Sequence, residues 1–488
     1  MKRIAALLLL LAVPALAQSK PAAKPAPKQA PNPEAKRSAL PSDVLVAEGV
    51  AAGEKGQFDE AEKKFRAALR LDPLRPDIHD RLGTLFAMQG KLDAAVPEFT
   101  KAIKMDPRNA SAYFHRGVAT IHKDPSAAIV DLQKSIQLSP KYAASYYYLG
   151  QALQVQDKQT DAMEAYSKAV ELEPNNPLAQ KALGVSLQKT GQMDQAIEAF
   201  KKSIELAPND PDAHNNLGLA YLQTGKGDLA IEELKKTVEL APNDPSYMGN
   251  LAVAYLQKSD FDTAKEKLEA ALKVAPNHAD LHYDLGLTLK LKDMLPEAIA
   301  EFQKAHELDP TLPDPPYTLG VTLWQKGDFP AAAEALQAAI KIKPDYAEAY
   351  YTLGSVLKQS DKLPEAAAAL RKAIELQPDF TGAHTNLASV LAQMGDSEGA
   401  AKERKLAAEL MKGKVGEQAA LFDTNSGIRL MNVGDLDGAI SQFEAALEIS
   451  PNMPLAHYQL GRALQRKGKS DEAMEHLKRA AELDPHYR

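Results

Sequence analysis

The feature that most constrains this chain is a period of 34 residues. With Gly286, Gly320 and Gly354 in register, the text reads YDLGLTLKLKDMLPEAIAEFQKAHELDP, then YTLGVTLWQKGDFPAAAEALQAAIKIKP, then YTLGSVLKQSDKLPEAAAALRKAIELQP. Extending the register gives thirteen units, starting at residues 42, 76, 110, 143, 177, 211, 245, 279, 313, 347, 381, 420 and 454. The eighth position of each is small, glycine in eleven and alanine at Ala252 and Ala388. Twelve positions further on, alanine stands in all thirteen, from Ala61 to Ala473, allowing for one residue missing from the third unit's turn. Proline closes twelve of them, from Pro73 to Pro485.

Each recurrence has a mechanical cause. Glycine inside a helix costs about 1 kcal/mol relative to alanine, so eleven repetitions imply that two antiparallel helices approach closely there, with the alanine opposite. Proline after E-L-D or E-L-A lacks the N–H that would continue a helix, so it ends the second helix and launches the next unit. Alanine and leucine dominate, and only 6% of residues are aromatic, a balance that favours helix over sheet. The result is helix, short turn, helix, short turn, thirteen times. A chain of 488 residues would ordinarily split into several globular cores. Stacked repeats avoid this, because each helix pair buries its faces against its neighbours.

Over residues 42–488 the pattern resembles the tetratricopeptide repeat family, with small residues at positions 8 and 20, a large residue at 24 and proline at 32. The resemblance implies an all-α, right-handed superhelical solenoid whose concave wall is made mainly of first helices and commonly binds peptides.

The amino terminus reads as a processing signal. Lys2 and Arg3 precede an apolar stretch from Ile4 to Val13, and Ala15-Leu16-Ala17 supplies a small-residue cleavage site, so residues 1–17 are expected to be removed. The stretch is too short to span a bilayer. The chain has no cysteine, which excludes lipid attachment at the cleavage site, disulfides and zinc-thiolate sites together. Residues 18–41 hold six prolines and five basic residues against one acid, the composition of a disordered, partly extended spacer. Without residues 1–41 the body carries 51 basic and 64 acidic residues, a net charge of about -13, which argues against nucleic acid as its ligand. A periplasmic or secreted location follows as the expectation.

The period breaks once. Pro378 and Pro451 stand 73 residues apart, two periods plus five. In the eleventh unit Arg404 occupies the place of Phe200, Phe302 or Phe443, and Lys412 replaces the closing proline. The second helix is therefore free to run on through LAAELMKGKVGEQAALF until Gly413 and Gly416 weaken it. Residues 415–419 read as a junction between repeats 1–11 (42–414) and repeats 12–13 (420–488), either a hinge or an insertion in a continuous superhelix. No capping helix follows the last repeat in this sequence, so self-association through it is a further expectation.

No pattern of catalytic chemistry emerges. The eleven histidines read as scattered, without HExxH spacing, and GxSxG, GxxxxGK[ST] and GxGxxG are absent. Neither a metal nor a cofactor is expected. Position within the repeat becomes the useful variable. Positions 5, 9 and 12 of a first helix share a stripe. On it Tyr283, Tyr317 and Tyr351 form a ladder through repeats eight to ten, flanked at position 12 by Lys290, Trp324 and Lys358. Trp324, the sole tryptophan, faces either the groove or the seam between first helices. Aromatic rings and lysines together make a candidate hot spot. Asn216 and Asn250, at position 6, offer amides to an extended peptide backbone. Phe114, His115, Tyr147 and Tyr148 make a second candidate patch.

These readings converge on a non-enzymatic scaffold, exported to the cell envelope, that binds protein or peptide segments in its concave groove. The alternative is a glycan-associated factor in polysaccharide export or cell-wall assembly, with the aromatic stripe stacking on sugar rings.

Overall fold

A computed structural model describes residues 41–487, so the expected signal peptide and all of the spacer before Pro41 lie outside the described residues. Among those described there are 25 α-helices and no strand. Thirteen hairpins would need 26, and the one missing is explained by a fusion. The second helix of repeat eleven and the first of repeat twelve form a single 36-residue helix, Ser397–Asn432. The expected junction at 415–419 thus lies inside a helix. No helix is long and apolar enough to cross a membrane, among the residues searched.

The other repeats follow one plan. First helices such as Asp314–Lys326 and Ala347–Gln359 have 13 residues, and second helices such as Phe329–Ile342 and Leu363–Leu376 have 14. In twelve repeats the chain reverses between them through one left-handed residue at position 15; repeat three, whose first helix Ala110–Thr120 has 11 residues, has none. Eight repeats use glycine there, and Asp157, Ser259, Asp293 and Asp361 take the same conformation at φ of 57–60°. The following N–H returns to the carbonyl of position 11, as in Asp328 to Leu323 (2.9 Å) and Lys362 to Leu357 (2.9 Å), closing the reversal with main-chain bonds alone.

Contacts divide the chain into two compact units, one ending at Lys267 and the other beginning at Leu268. Within each, the core is a row of small cells. The position-20 alanines are at most 2% exposed, and position 24 supplies the filling: Phe65, Phe99 and Phe200 in the first unit, Phe302, Leu336 and Phe443 in the second. These side chains, more than the alanines, account for the glycines at position 8. A Cβ on Gly286 would stand 2.6 Å from the Phe302 ring, and one on Gly320 2.6 Å from Leu336 Cγ. The glycine is the floor on which the large residue sits.

Candidate functional site

Repeats eight to ten lie within the second unit, and their ladder tyrosines are half-buried rather than free. Tyr317 packs on Tyr346 at 4.8 Å between ring centroids, and Tyr351 on Phe380 at 4.7 Å. In both cases the partner is the aromatic residue at position 34, carried by the turn into the next repeat. Tyr283 instead leans on Phe302 at 5.8 Å, and its hydroxyl lies 3.2 Å from Thr318 Oγ1 in the next repeat. Position 5 is therefore a seam position, where ring area is spent joining consecutive repeats while one edge stays open.

Trp324 also bridges repeats. It is half-buried, and its indole N–H donates to Gln359 Oε1 at 2.7 Å on the next first helix. The two sequence alternatives, groove and seam, meet in this one side chain.

The polar groups around this stripe are less well satisfied. Lys290 and Lys358 are half-buried, and neither has an ion-pair partner among the described residues. Burial holds the Lys290 ammonium below its ordinary range. Asp284, at position 6 on the helix Ala279–Leu291 that also carries Lys290, likewise has no partner for its carboxylate among the described residues, and burial, reinforced by the nearby charge of Asp280, pushes it up to about 7. Partly desolvated charges of this kind are costly until something pairs with them.

Elsewhere the expected contacts are already occupied. In the first unit, the Asn250 amide donates to Asn215 Oδ1 at 2.8 Å, tying two repeats together, whereas Asn216 is half-buried and its side chain makes no hydrogen bond among the described residues. The second candidate patch requires a correction, because Phe114 is 2% exposed and Tyr148 7%. Their rings pack on each other at 5.5 Å, and Phe114 packs on Tyr142 at 5.1 Å. Tyr147 stacks edgewise on Tyr148, and His115 is held by Asp80 at 2.8 Å. Turning inward, position 5 of repeat three fills a core cell, so these four residues stabilise the fold.

The histidines contain an order that a search for metal or catalytic spacings overlooks. His79, His214, His282 and His384 each place Nδ1 2.5–2.6 Å from the carboxylate of Glu98, Glu233, Glu301 and Glu403 respectively. In the last three, Nε2 also lies 3.0 Å from a proline carbonyl oxygen in the preceding turn. Each pair is 19 residues apart, position 4 to position 23, so folding onto the 34-residue period would have revealed it. Every such bridge clamps the two helices of one repeat. Among the described residues, no cluster of three His, Asp or Glu side chains is arranged to hold a metal.

Family models match the repeats directly. A family model described as tetratricopeptide repeat matches residues 46–129, 250–313 and 317–413, in overlapping segments. Related models match 143–176, 189–225, 211–244 and 430–488. No curated protein matches. Among solved structures, MamA is 31% identical over 33% of this chain and 94% of its own, with a TM-score of 0.31. Yeast Tom70 is 17% identical over 91% of this chain and 92% of its own, with a TM-score of 0.35. The Cut9 and Hcn1 assembly is 16% identical over 91% and 94%, with a TM-score of 0.37. With half the chain matched by one model and the remaining repeats by its relatives, the chain belongs to the tetratricopeptide repeat family.

Proposed function

We propose that this protein is a non-enzymatic scaffold of the cell envelope, and that it holds protein segments against the first helices of repeats eight to ten. Repeat arrays of this family generally serve protein–protein interaction, which supports the first half. The second rests on one observation: among the described residues Asp284, Lys290 and Lys358 are half-buried and unpaired along a stripe that also carries Tyr283, Trp324 and Tyr351. An extended segment presenting a basic side chain to Asp284 and carboxylates to the lysines would relieve the desolvation cost and cover the open aromatic edges. Sugar stacking is a poorer match, because Tyr317 and Tyr351 already lie against Tyr346 and Phe380.

Capture from envelope extract, comparing the intact chain with Asp284→Asn/Lys290→Ala/Trp324→Ala, tests the reading. Protein partners should be recovered by the first and lost by the second, and a bound partner should shield Trp324 from acrylamide. Equal recovery by both would overturn the assignment to this face. Because the Asp284 carboxyl titrates near 7, a ligand cation should bind more tightly at pH 8 than at pH 6. Export, read from residues 1–17, is tested by sequencing the amino terminus of the mature chain, which should begin at Gln18.

A further inference from the structure

Five repeats carry histidine at position 4, and in four of them position 23 is the clamping glutamate. Repeat thirteen is the fifth, and its position 23 is His476. The clamp is kept there with a different pair of groups. His457 Nδ1 stands 3.0 Å from His476 Nδ1, and the two rings stack at 5.2 Å between centroids. His457 Nε2 lies 3.0 Å from the Pro451 carbonyl oxygen, as in the other clamps.

Proton counting separates the two kinds of clamp. In repeats six, eight and eleven both ring nitrogens face oxygens that accept, so a ring with a hydrogen on each nitrogen is fully bonded. In repeat thirteen the proline carbonyl takes the hydrogen of His457 Nε2, so Nδ1 of the neutral ring is a lone pair that accepts from His476 Nδ1. One added proton is tolerated, because the pair still holds a single hydrogen between its two Nδ1 atoms. A second is not. Each Nδ1 then carries a hydrogen, and two cationic N–H groups point at one another across 3.0 Å.

Charges reach His476 from three helices: Glu472 and Glu475 on its own helix Ser470–Leu483, Glu444 on Leu436–Ile449, and the His457 ring on Pro454–Arg466. Burial and the His457 ring outweigh the carboxylates and hold the His476 imidazolium below its ordinary range. Over repeat twelve the fused helix, which also packs on Pro454–Arg466, carries only Asp423 and Arg429, and in the turn Pro485–Tyr487 His486 is held by Asp484 at 2.7 Å. An unfolded histidine titrates near 6.5, so as pH falls below that value the unfolded chain takes up the second proton before the folded repeat does, and the fold loses stability. The main contacts of Ser470–Leu483 are with Pro454–Arg466 and the turn after it, so the loss falls on one hairpin. The cell it opens is apolar, with Leu460 and Leu464 only 2% and 3% exposed beside Ala473.

We infer that repeat thirteen is an acid-released hairpin, in which double protonation of His457 and His476 frees Ser470–Leu483 from Pro454–Arg466 while the glutamate-clamped repeats stay closed. Hydrogen exchange of the full chain at about pH 7.5 and about pH 5, corrected for the intrinsic pH dependence of exchange, tests it. Protection of both helices of repeat thirteen should fall by about tenfold on acidification. That of Pro211–Gln223 and Gly227–Leu240, clamped by His214 and Glu233, should hold. His476→Glu should keep repeat thirteen protected at the lower pH, and Glu233→His should confer the acid response on repeat six. Equal protection of repeat thirteen at both pH values, an acid loss that survives His476→Glu, or a repeat six indifferent to Glu233→His would each overturn the inference.

Discussion

Two glycines of the second unit have opposite meanings at the scale of single residues. An added methyl at Gly320 would lie 2.6 Å from Leu336 Cγ and 3.1 Å from the Ala332 carbonyl oxygen, whereas one at Gly413 would meet nothing within 4 Å. Gly320→Ala should therefore destabilise the fold by about 1–3 kcal/mol through overpacking. Gly413→Ala should instead raise local stability by about 0.5–1 kcal/mol through helix propensity. Hydrogen exchange of the flanking helices reads both. Asp284 gives a third outcome with a definite sign. Its folded carboxyl titrates near 7 against 3.8 ordinarily, so as pH rises between those values the unfolded chain ionises first and repeat eight loses stability; above 7 the loss is complete. Asp284→Asn should match the wild type near pH 4 and exceed it at pH 8 in the exchange protection of Ala279–Leu291. Residue identity alone showed that Tyr317, Tyr351 and Trp324 belong to one stripe. It did not show that Tyr346, Phe380 and Gln359 would meet them, because those partners come from the following turn and helix, about 30 to 35 residues away.

At the scale of elements, repeats were legible to within a residue or two because three signals coincide in each: the small position 8, the alanine at position 20 and the closing proline. Where one signal failed, the prediction split. The loss of proline at Lys412 indicated that the helix could run on, and Gly413 with Gly416 suggested that it would weaken. It runs through both. Each glycine costs about 1 kcal/mol, whereas the ends of the helix are anchored by packing against Thr381–Gln393 and Leu436–Ile449. Tertiary packing outweighs local propensity here. The His–Glu clamps belong to this scale too. Glu233→Ala would leave His214, 7% exposed, facing an empty acceptor position, and should cost about 1–3 kcal/mol. Exchange should accelerate in Pro211–Gln223 and Gly227–Leu240 together and leave distant repeats unchanged.

For the whole molecule, the consequence of contacts confined to neighbouring helices is weak global cooperativity. In each unit the described helices make their main contacts with those next to them or next but one in the sequence. Guanidinium unfolding should then be broad, with a denaturant dependence smaller than two-state unfolding of a domain this size would require, and circular dichroism and Trp324 emission should give different midpoints. Coincident midpoints would show that the repeats unfold as one block. The turns carry this independence further. In all repeats but the third the turn hydrogen bond returns to a carbonyl five residues back in the same repeat, Lys226 to Tyr221 at 2.8 Å for instance, so cutting the chain between two separate hairpins severs none of these bonds. A gene built this way can lengthen or shorten by whole 34-codon modules, each inherited with its reversal already complete.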